Sequence, residues 1–242
     1  MNLNKLFKKK EETPHCSVVV VAAGSSKRMG SDKIMANLGG MPVLARTLKA
    51  FENSKLVDEI IVVTKMERIE EIAEACTKYG ISKTKKVVCG GKSRMESALA
   101  GVSEIDPKAK LVAIHDGARP LVTDLIIKRT VYSAWEHLSA VPVLKITDTL
   151  KELDDEGVVI NPVDREKVVR VQTPQVFSAD LIKGALTKAV TENLQLTDDC
   201  SAMAMMGVKT YTVTGDEDNI KLTTPRDFFI AEAILRNRGD IQ

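Results

Sequence analysis

Apolar, β-branched runs recur at Ser17 to Val21, Glu59 to Thr64, Lys86 to Cys89, Leu111 to His115, Ala140 to Leu144 and Lys209 to Val213, and these predict strands. Between most of them the spacing of apolar positions predicts helices. These cover Pro42 to Glu52, with proline in a first helical turn, then Glu67 to Tyr79, Ser93 to Val102 and Asp124 to His137. Alternation of strand and helix predicts an α/β fold whose sheet is mostly parallel and covered by helices on both faces. Further helices are expected over Ser178 to Val190 and Asp198 to Met206. A last one starts at Thr224-Pro225-Arg226-Asp227, where a threonine cap precedes proline in the first turn.

One segment breaks the alternation. From about Lys145 to Arg170, turn signals at Asp154-Asp155-Glu156-Gly157 and Asn161-Pro162 are flanked by Thr147 to Leu153 and Val158-Val159-Ile160, the pattern of a hairpin. With so many charges it cannot occupy the core of the sheet. It is expected to protrude as an arm of the kind that packs on a second subunit; an ordinary surface loop is the alternative. At 242 residues, with strand runs spread along its length, the chain is expected to form one domain over residues 15–242 that includes an arm subdomain at about 145–170. Residues 1–14 carry Lys5, Lys8, Lys9, Lys10, Glu11 and Glu12 without an apolar signal-peptide core, and read as a disordered cytosolic tail.

Composition narrows the partners. Thirty-five basic against 33 acidic side chains leave no global basic field, which argues against nucleic acid, so an anion site has to be local. Cys16, Cys76, Cys89 and Cys200 show neither C-x-x-C nor zinc spacing, as expected of reduced thiols in a cytoplasmic protein. No apolar run approaches the ~20 residues of a membrane helix.

The chemistry concentrates after the first strand. Val18 to Val21 run into Ala22-Ala23-Gly24-Ser25-Ser26-Lys27-Arg28-Met29-Gly30-Ser31-Asp32-Lys33. Small residues there let the backbone approach a ligand while Lys27, Arg28 and Lys33 converge on an anion, an arrangement suited to a polyphosphate. Gly24 and Gly30 stand six apart, which fits neither a Walker loop nor a dinucleotide-binding loop. In open α/β sheets ligands lie beyond the carboxyl ends of the strands, and after the fourth strand come Asp116-Gly117-Ala118-Arg119-Pro120. Asp116 is placed either to hold Mg²⁺ against phosphate oxygens or to cap a turn. Arg119 is either a phosphate ligand or a surface arginine, and His115, on the strand itself, reads as a packed core histidine. Gly90-Gly91-Lys92-Ser93-Arg94 follows the third strand and opens a helix, where its amides and the Ser93 or Ser97 hydroxyl could meet a base or an anion.

Taken together, these blocks, with Asp148-Thr149, Val163-Asp164-Arg165, Thr173-Pro174-Gln175-x-Phe177, Thr197-Asp198 and Asp218-Asn219-x-Lys221-x-Thr223-x-Pro225-x-Asp227, closely resemble the 2-C-methyl-D-erythritol 4-phosphate cytidylyltransferase family of the non-mevalonate isoprenoid route. The ordered match spans roughly residues 17 to 235. The resemblance implies a Rossmann-like nucleotidyltransferase fold, a homodimer built through the arm, Mg²⁺ dependence, and transfer of CMP from CTP to a polyol phosphate. By motif, Arg28, Lys33, Arg165 and Lys221 would be the catalytic cations, with Arg28 and Lys33 on the triphosphate. Ala22, Ala23, Gly24, Gly91 and Ser97 would surround cytosine and ribose. Asp116, Arg119, Thr149, Thr197, Arg165 and Lys221 would hold the acceptor phosphate or the transferring group. Thr149 and Arg165 lie on the arm and would serve the neighbour's site. Asp116, and more distantly Asp218, would be the metal carboxylates.

The chain departs from the family pattern at Asp32-Lys33-Ile34, where many relatives have Pro-Lys-Gln, and at Lys92, where an acidic residue is common. Ribitol-5-phosphate cytidylyltransferase shares nearly the same motifs and is the nearest alternative. A non-catalytic nucleotide-binding protein of the same fold would need Gly24 and Gly91 but not Arg165, Thr197 and Lys221.

Overall fold

The computed structural model describes residues 14–24, 33–194 and 196–242. The expected tail, apart from its last residue, and the loop segment holding Lys27, Arg28 and Gly30 lie outside them.

Three adjacent strands form the centre: β1 (Cys16–Val21), β4 (Glu59–Thr64) and β6 (Leu111–Asp116). β1 pairs in parallel with both of the others, and nearly every residue of the three is buried. That double burial is why they read in the sequence as unbroken apolar runs rather than alternating ones. β5 (Thr84–Cys89) extends the parallel set beyond β4 and ends the sheet on that side. On the other side β11 (Gln175–Ser178) runs antiparallel between β6 and β7 (Ser139–Lys145). β10 (Val169–Val171) pairs antiparallel with the far half of β7, whose other edge carries β12 (Tyr211–Thr214) in parallel. The sheet is therefore parallel at its centre and mixed at one end. β10 and β11 are short and interrupted by Gln172-Thr173-Pro174, so no strand-length apolar run announces them in the sequence.

Alternate residues of the central strands feed two separate cores, as the period of a strand requires. Val18, Val20, Ile60 and Val62 face one side with Leu44, Leu48 and Phe51 of α1 (Val43–Asn53), Ile72 of α2 (Ile69–Lys78), and Ile126 and Val131 of α4 (Asp124–His137). Val19, Ile61 and Val63 face the other with Ala98 and Val102 of α3 (Arg94–Ser103), Ile182 and Leu186 of α5 (Ala179–Thr191), and Met203 of α6 (Asp199–Met205). A third cluster seats α7 (Pro225–Arg238) through Ala231 and Leu235 on Leu38, Val43 and Leu222. Leu38 belongs to a small ribbon of β2 (Asn37–Leu38) and β3 (Met41–Pro42) that the sequence pattern did not suggest.

Helix starts follow the expected chemistry. Ser93 Oγ accepts from Glu96 N at 3.0 Å, Asp198 Oδ1 accepts from Ser201 N at 3.0 Å, and Thr224 forms a reciprocal box with Asp227. The hairpin consists of β8 (Lys151–Leu153) and β9 (Val159–Pro162), antiparallel and separate from the main sheet. All its strand residues are exposed. Among the described residues no helix is long and apolar enough to cross a membrane, and all four cysteines are free.

At Gly101 helix α3 packs closely on the sheet: a Cβ there would fall 2.3 Å from Val19 Cγ1 and 2.6 Å from Val63 Cγ2. Gly101→Ala should therefore destabilise the fold by about 1–3 kcal/mol through overpacking, despite the better helix propensity of alanine. Denaturant unfolding checks this, and an unchanged or raised midpoint would contradict the packing described.

Candidate active site

The carboxyl ends of β1, β4, β5 and β6 lie side by side, and backbone bonds knit the loops that leave them. Ala22 N donates to Val63 O at 2.7 Å, Gly90 N to Thr64 O at 2.7 Å, and Gly117 N to Val21 O at 2.9 Å. Side chains are excluded where these loops touch. A Cβ on Gly90 would meet Ala23 Cβ and Ser97 Oγ at 2.7 Å, and one on Gly91 would meet Glu96 Cβ at 2.3 Å. Ala23 is thus held beside the loop that opens α3. Ser97 is 2 % exposed and its hydroxyl donates to Ser93 O at 2.8 Å, so within the chain it braces the first turn of α3.

Asp116, the last residue of β6, is the electrostatic centre. Lys221 Nζ lies 2.9 Å from its Oδ2, Arg119 Nε 3.6 Å from the same oxygen, and Arg94 Nε 3.7 Å from Oδ1. Burial alone would push this carboxyl up. Lys221, then Arg94 and Arg119, outweigh it and hold the pKa at about 2. The group is ionised at every working pH. Two of the cations have separate anchors: Arg94 forks onto Asp199 at 2.9 and 2.7 Å, and Arg119 Nη1 donates to Asn219 O at 2.7 Å. Counting Asp199, the group sums three positive against two negative charges and leaves one net positive charge.

The loop that carries Lys221 is tied down on both sides of it. Asn219 is buried, its Nδ2 donating to Thr173 O at 2.9 Å, and Gln172 Nε2 donates to Asp216 O at 2.8 Å and Asn219 O at 3.2 Å. On the other side Leu222 N donates to Ala118 O at 2.8 Å, and its side chain enters the core beneath α7. Lys221 itself is 40 % exposed at its side chain and so remains reachable from solvent.

His115 has no free nitrogen. Nε2 donates to the Arg119 carbonyl at 3.2 Å, which leaves Nδ1 to accept from the Thr173 hydroxyl at 3.0 Å; that hydroxyl in turn accepts from Asp116 N at 3.2 Å. Burial brings its pKa down to about 3, outweighing the neighbouring Asp116 carboxylate. It is a neutral strut, as its position on the strand suggested.

The other expected residues are dispersed. Lys33 opens the turn that leads to β2. Arg28 lies outside the described residues. Arg165 donates to Thr147 O at 2.7 Å, and both it and Thr149 are exposed at the base of the hairpin. Thr197 is exposed, its hydroxyl 3.2 Å from Ser201 Oγ, one residue before the Asp198 cap of α6. Asp218 is held at 3.0 Å by Arg238 of α7. Among the described residues no group of three or more His, Cys, Asp or Glu could hold a metal by itself. Sequence reasoning assigned no role to Arg94, Asp199, Gln172, Thr173 or Asn219. Their contacts join positions far apart in the chain, and no local spacing signals them.

Residues 16–237 match the family model described as 2-C-methyl-D-erythritol 4-phosphate cytidylyltransferase. The chain belongs to this family. It is 43 % identical over 224 residues to the protein of that name from Halalkalibacterium halodurans, covering 92 % of this chain and 97 % of the relative. The protein from Caldanaerobacter subterraneus subsp. tengcongensis is 41 % identical, with 91 % and 98 % covered. Among solved structures, the 4-diphosphocytidyl-2C-methyl-D-erythritol synthase of Anaerococcus prevotii superposes with a TM-score of 0.82 at 30 % identity, covering 93 % of this chain and all of that one. The chain is accordingly a cytidylyltransferase.

The buried neutral His115 has a measurable consequence. Its folded pKa is depressed from 6.5, so between pH 6.5 and about 3 the unfolded chain binds a proton that the folded one refuses, and stability falls as the pH falls. The slope should approach about 1.4 kcal/mol per pH unit within that window. Urea midpoints across the window should fall less steeply for His115→Gln than for the wild type. Equal slopes would contradict a neutral buried imidazole.

Proposed function

We propose that the chain transfers CMP from CTP to 2-C-methyl-D-erythritol 4-phosphate, giving 4-diphosphocytidyl-2-C-methyl-D-erythritol and pyrophosphate in the non-mevalonate supply of isoprenoid precursors. The observation that carries the mechanism is the convergence of Lys221, Arg119 and Arg94 on Asp116, beside the small-residue loops after β1 and β5.

The acceptor is a phosphate monoester with a second pKa of about 6, so at neutral pH its oxygen is already an anionic nucleophile. That oxygen forms a bond to the α-phosphorus while the bond from phosphorus to the bridging α,β-oxygen breaks, and the electron pair leaves on pyrophosphate. No general base is required, in keeping with a histidine whose two nitrogens are both engaged. The obstacle is the approach of two polyanions, which calls for preorganised cations rather than proton transfer. Lys221, pinned on both flanks, orients the acceptor phosphate, while Lys33 and Arg28 take the triphosphate. Ala22 to Gly24 and Gly91 leave room for the nucleoside against the backbone.

Mg²⁺ is the proposed metal. Asp116 suits it as a hard, permanently ionised oxygen donor, and a single protein carboxylate is enough because magnesium takes most of its remaining ligands from substrate phosphates and water. When bound it would neutralise triphosphate charge. Asp218, the more distant candidate, is bonded to Arg238 at 3.0 Å.

A homodimer completes the proposal. The hairpin exposes Leu153, Val158, Val159 and Ile160, apolar surface that a second copy would cover. Arg165 and Thr149 stand at its base, where they would act in the neighbour's cleft. Four free cysteines without paired spacing are in keeping with a cytoplasmic location, which is proposed.

Pyrophosphate release from CTP and Mg²⁺, with methylerythritol 4-phosphate or ribitol 5-phosphate as acceptor, tests the reaction. Turnover should require the methylerythritol acceptor, and Lys33→Ala and Lys221→Ala should each lose on the order of 10²-fold or more in rate. Preference for ribitol phosphate would keep the chemistry and change the substrate. Release with neither acceptor would refute the proposal.

A further inference from the structure

One buried contact beside the cleft has no part in the chemistry so far. Arg94 in the first turn of α3 and Asp199 in the first turn of α6 are 105 residues apart, yet both Nη atoms of the arginine bond the two carboxylate oxygens, at 2.9 and 2.7 Å. Asp199 is 1 % exposed. A planar guanidinium committed through both Nη atoms cannot turn about its own axis, which fixes the position of its Nε. That nitrogen lies at ion-pair distance, 3.7 Å, from Asp116 Oδ1, the oxygen opposite the one engaged by Lys221 and Arg119.

We infer that Arg94, locked by Asp199, is a positioning residue that fixes the Asp116 carboxylate from behind and ties the nucleotide-side loop to the acceptor side of the cleft. Both ends of the strut lie on segments expected to meet substrate. Arg94 follows Gly90-Gly91-Lys92-Ser93, and Asp199 follows Thr197-Asp198, whose helix cap is braced in turn by Gln175 Nε2 at 3.2 Å from Asp198 Oδ2. If the strut is cut, Asp116 keeps its charge but loses the contact that holds one of its two oxygens. Lys221, which depends on the other oxygen, then loses its reference point. The charges of Asp116 and Lys221 persist at less productive distances, and such misplacement costs rate more than affinity.

A pair kept only for stability predicts something different. Buried ion pairs can often be replaced by apolar side chains of similar size with little or no loss of stability, whereas removal of one partner alone strands a buried charge. The test therefore removes both. Arg94→Met with Asp199→Leu should unfold cooperatively near the wild-type temperature, while kcat falls on the order of 10²-fold and KM for CTP changes by less than about threefold. Action through Asp116 adds a readout that packing would not move: adding Asp116→Asn to the double variant should lower kcat no further than Asp116→Asn alone. Should the double variant lose cooperative unfolding, Arg94→Lys, with and without Asp116→Asn, carries the same comparison, because lysine keeps the charge and loses the fork.

A double variant within about twofold of wild-type kcat, or losses that multiply with Asp116→Asn, would overturn the strut. The inference rests on Asp116 being a site carboxylate, and the two can fail separately. Wild-type turnover in Asp116→Asn alone would remove Asp116 from the mechanism and the strut with it. A crippled Asp116→Asn together with an active double variant would remove the strut only.

Discussion

A carboxylate buried at the end of a central strand has to be paired, and the structure around Asp116 is organised by that requirement. A stranded buried charge costs several kcal/mol, so the fold recruits cations from three directions: Arg94 from α3, Arg119 from the loop after β6, and Lys221 from the loop after β12. Each lies on a segment that follows a strand at the carboxyl edge of the sheet. Backbone bonds hold these loops together, and electrostatic pairing gathers their charged side chains at one place. The cations are not equally secured. Arg94 has Asp199 and Arg119 has the Asn219 carbonyl, whereas the charge of Lys221 rests on Asp116 while its backbone is held by its neighbours.

The same arrangement suits phosphoryl transfer between two anions. The positive charges are already collected, oriented and partly desolvated before substrate arrives, so little reorganisation remains for the chemical step. Lys221 is the most exposed member and the one able to exchange Asp116 for an acceptor phosphate. His115, one residue before the carboxylate, is neutral and doubly bonded and contributes rigidity. The division of labour between a strut histidine and exposed cations agrees with a nucleophile that carries its own charge.

Much of this was legible in the sequence for a physical reason. Strands buried on both faces have to be apolar throughout, so β1, β4 and β6 were recognisable as runs, and β4 was placed to the residue. α4 was likewise placed to the residue by its periodicity over Asp124 to His137. β10 and β11 were not legible, because Gln172, Thr173 and Pro174 break the run and because their partners lie about thirty residues upstream in β7 and farther still in β6. In the site, single-loop features were readable, including Ala22 to Gly24, Gly90-Gly91 and Asp116. Features made by two distant loops were not. Arg94 with Asp199, and Gln172 with Asn219, are ordinary polar residues until the fold brings them together. Lys221, Thr149, Thr197 and Arg165 were named through family motifs rather than local pattern. Of these, the single chain brings only Lys221 to Asp116.

The most direct test of the organising role of Asp116 is a crystal structure of the Asp116→Asn variant without substrate. The account predicts that Lys221 Nζ leaves its 2.9 Å contact with residue 116, while Arg94 stays forked on Asp199, Arg119 stays on the Asn219 carbonyl, and Leu222 keeps its bond to Ala118. A variant in which Lys221 keeps its position would show that the backbone alone places this cation, and would contradict the claim that the buried carboxylate fixes the most exposed charge of the site.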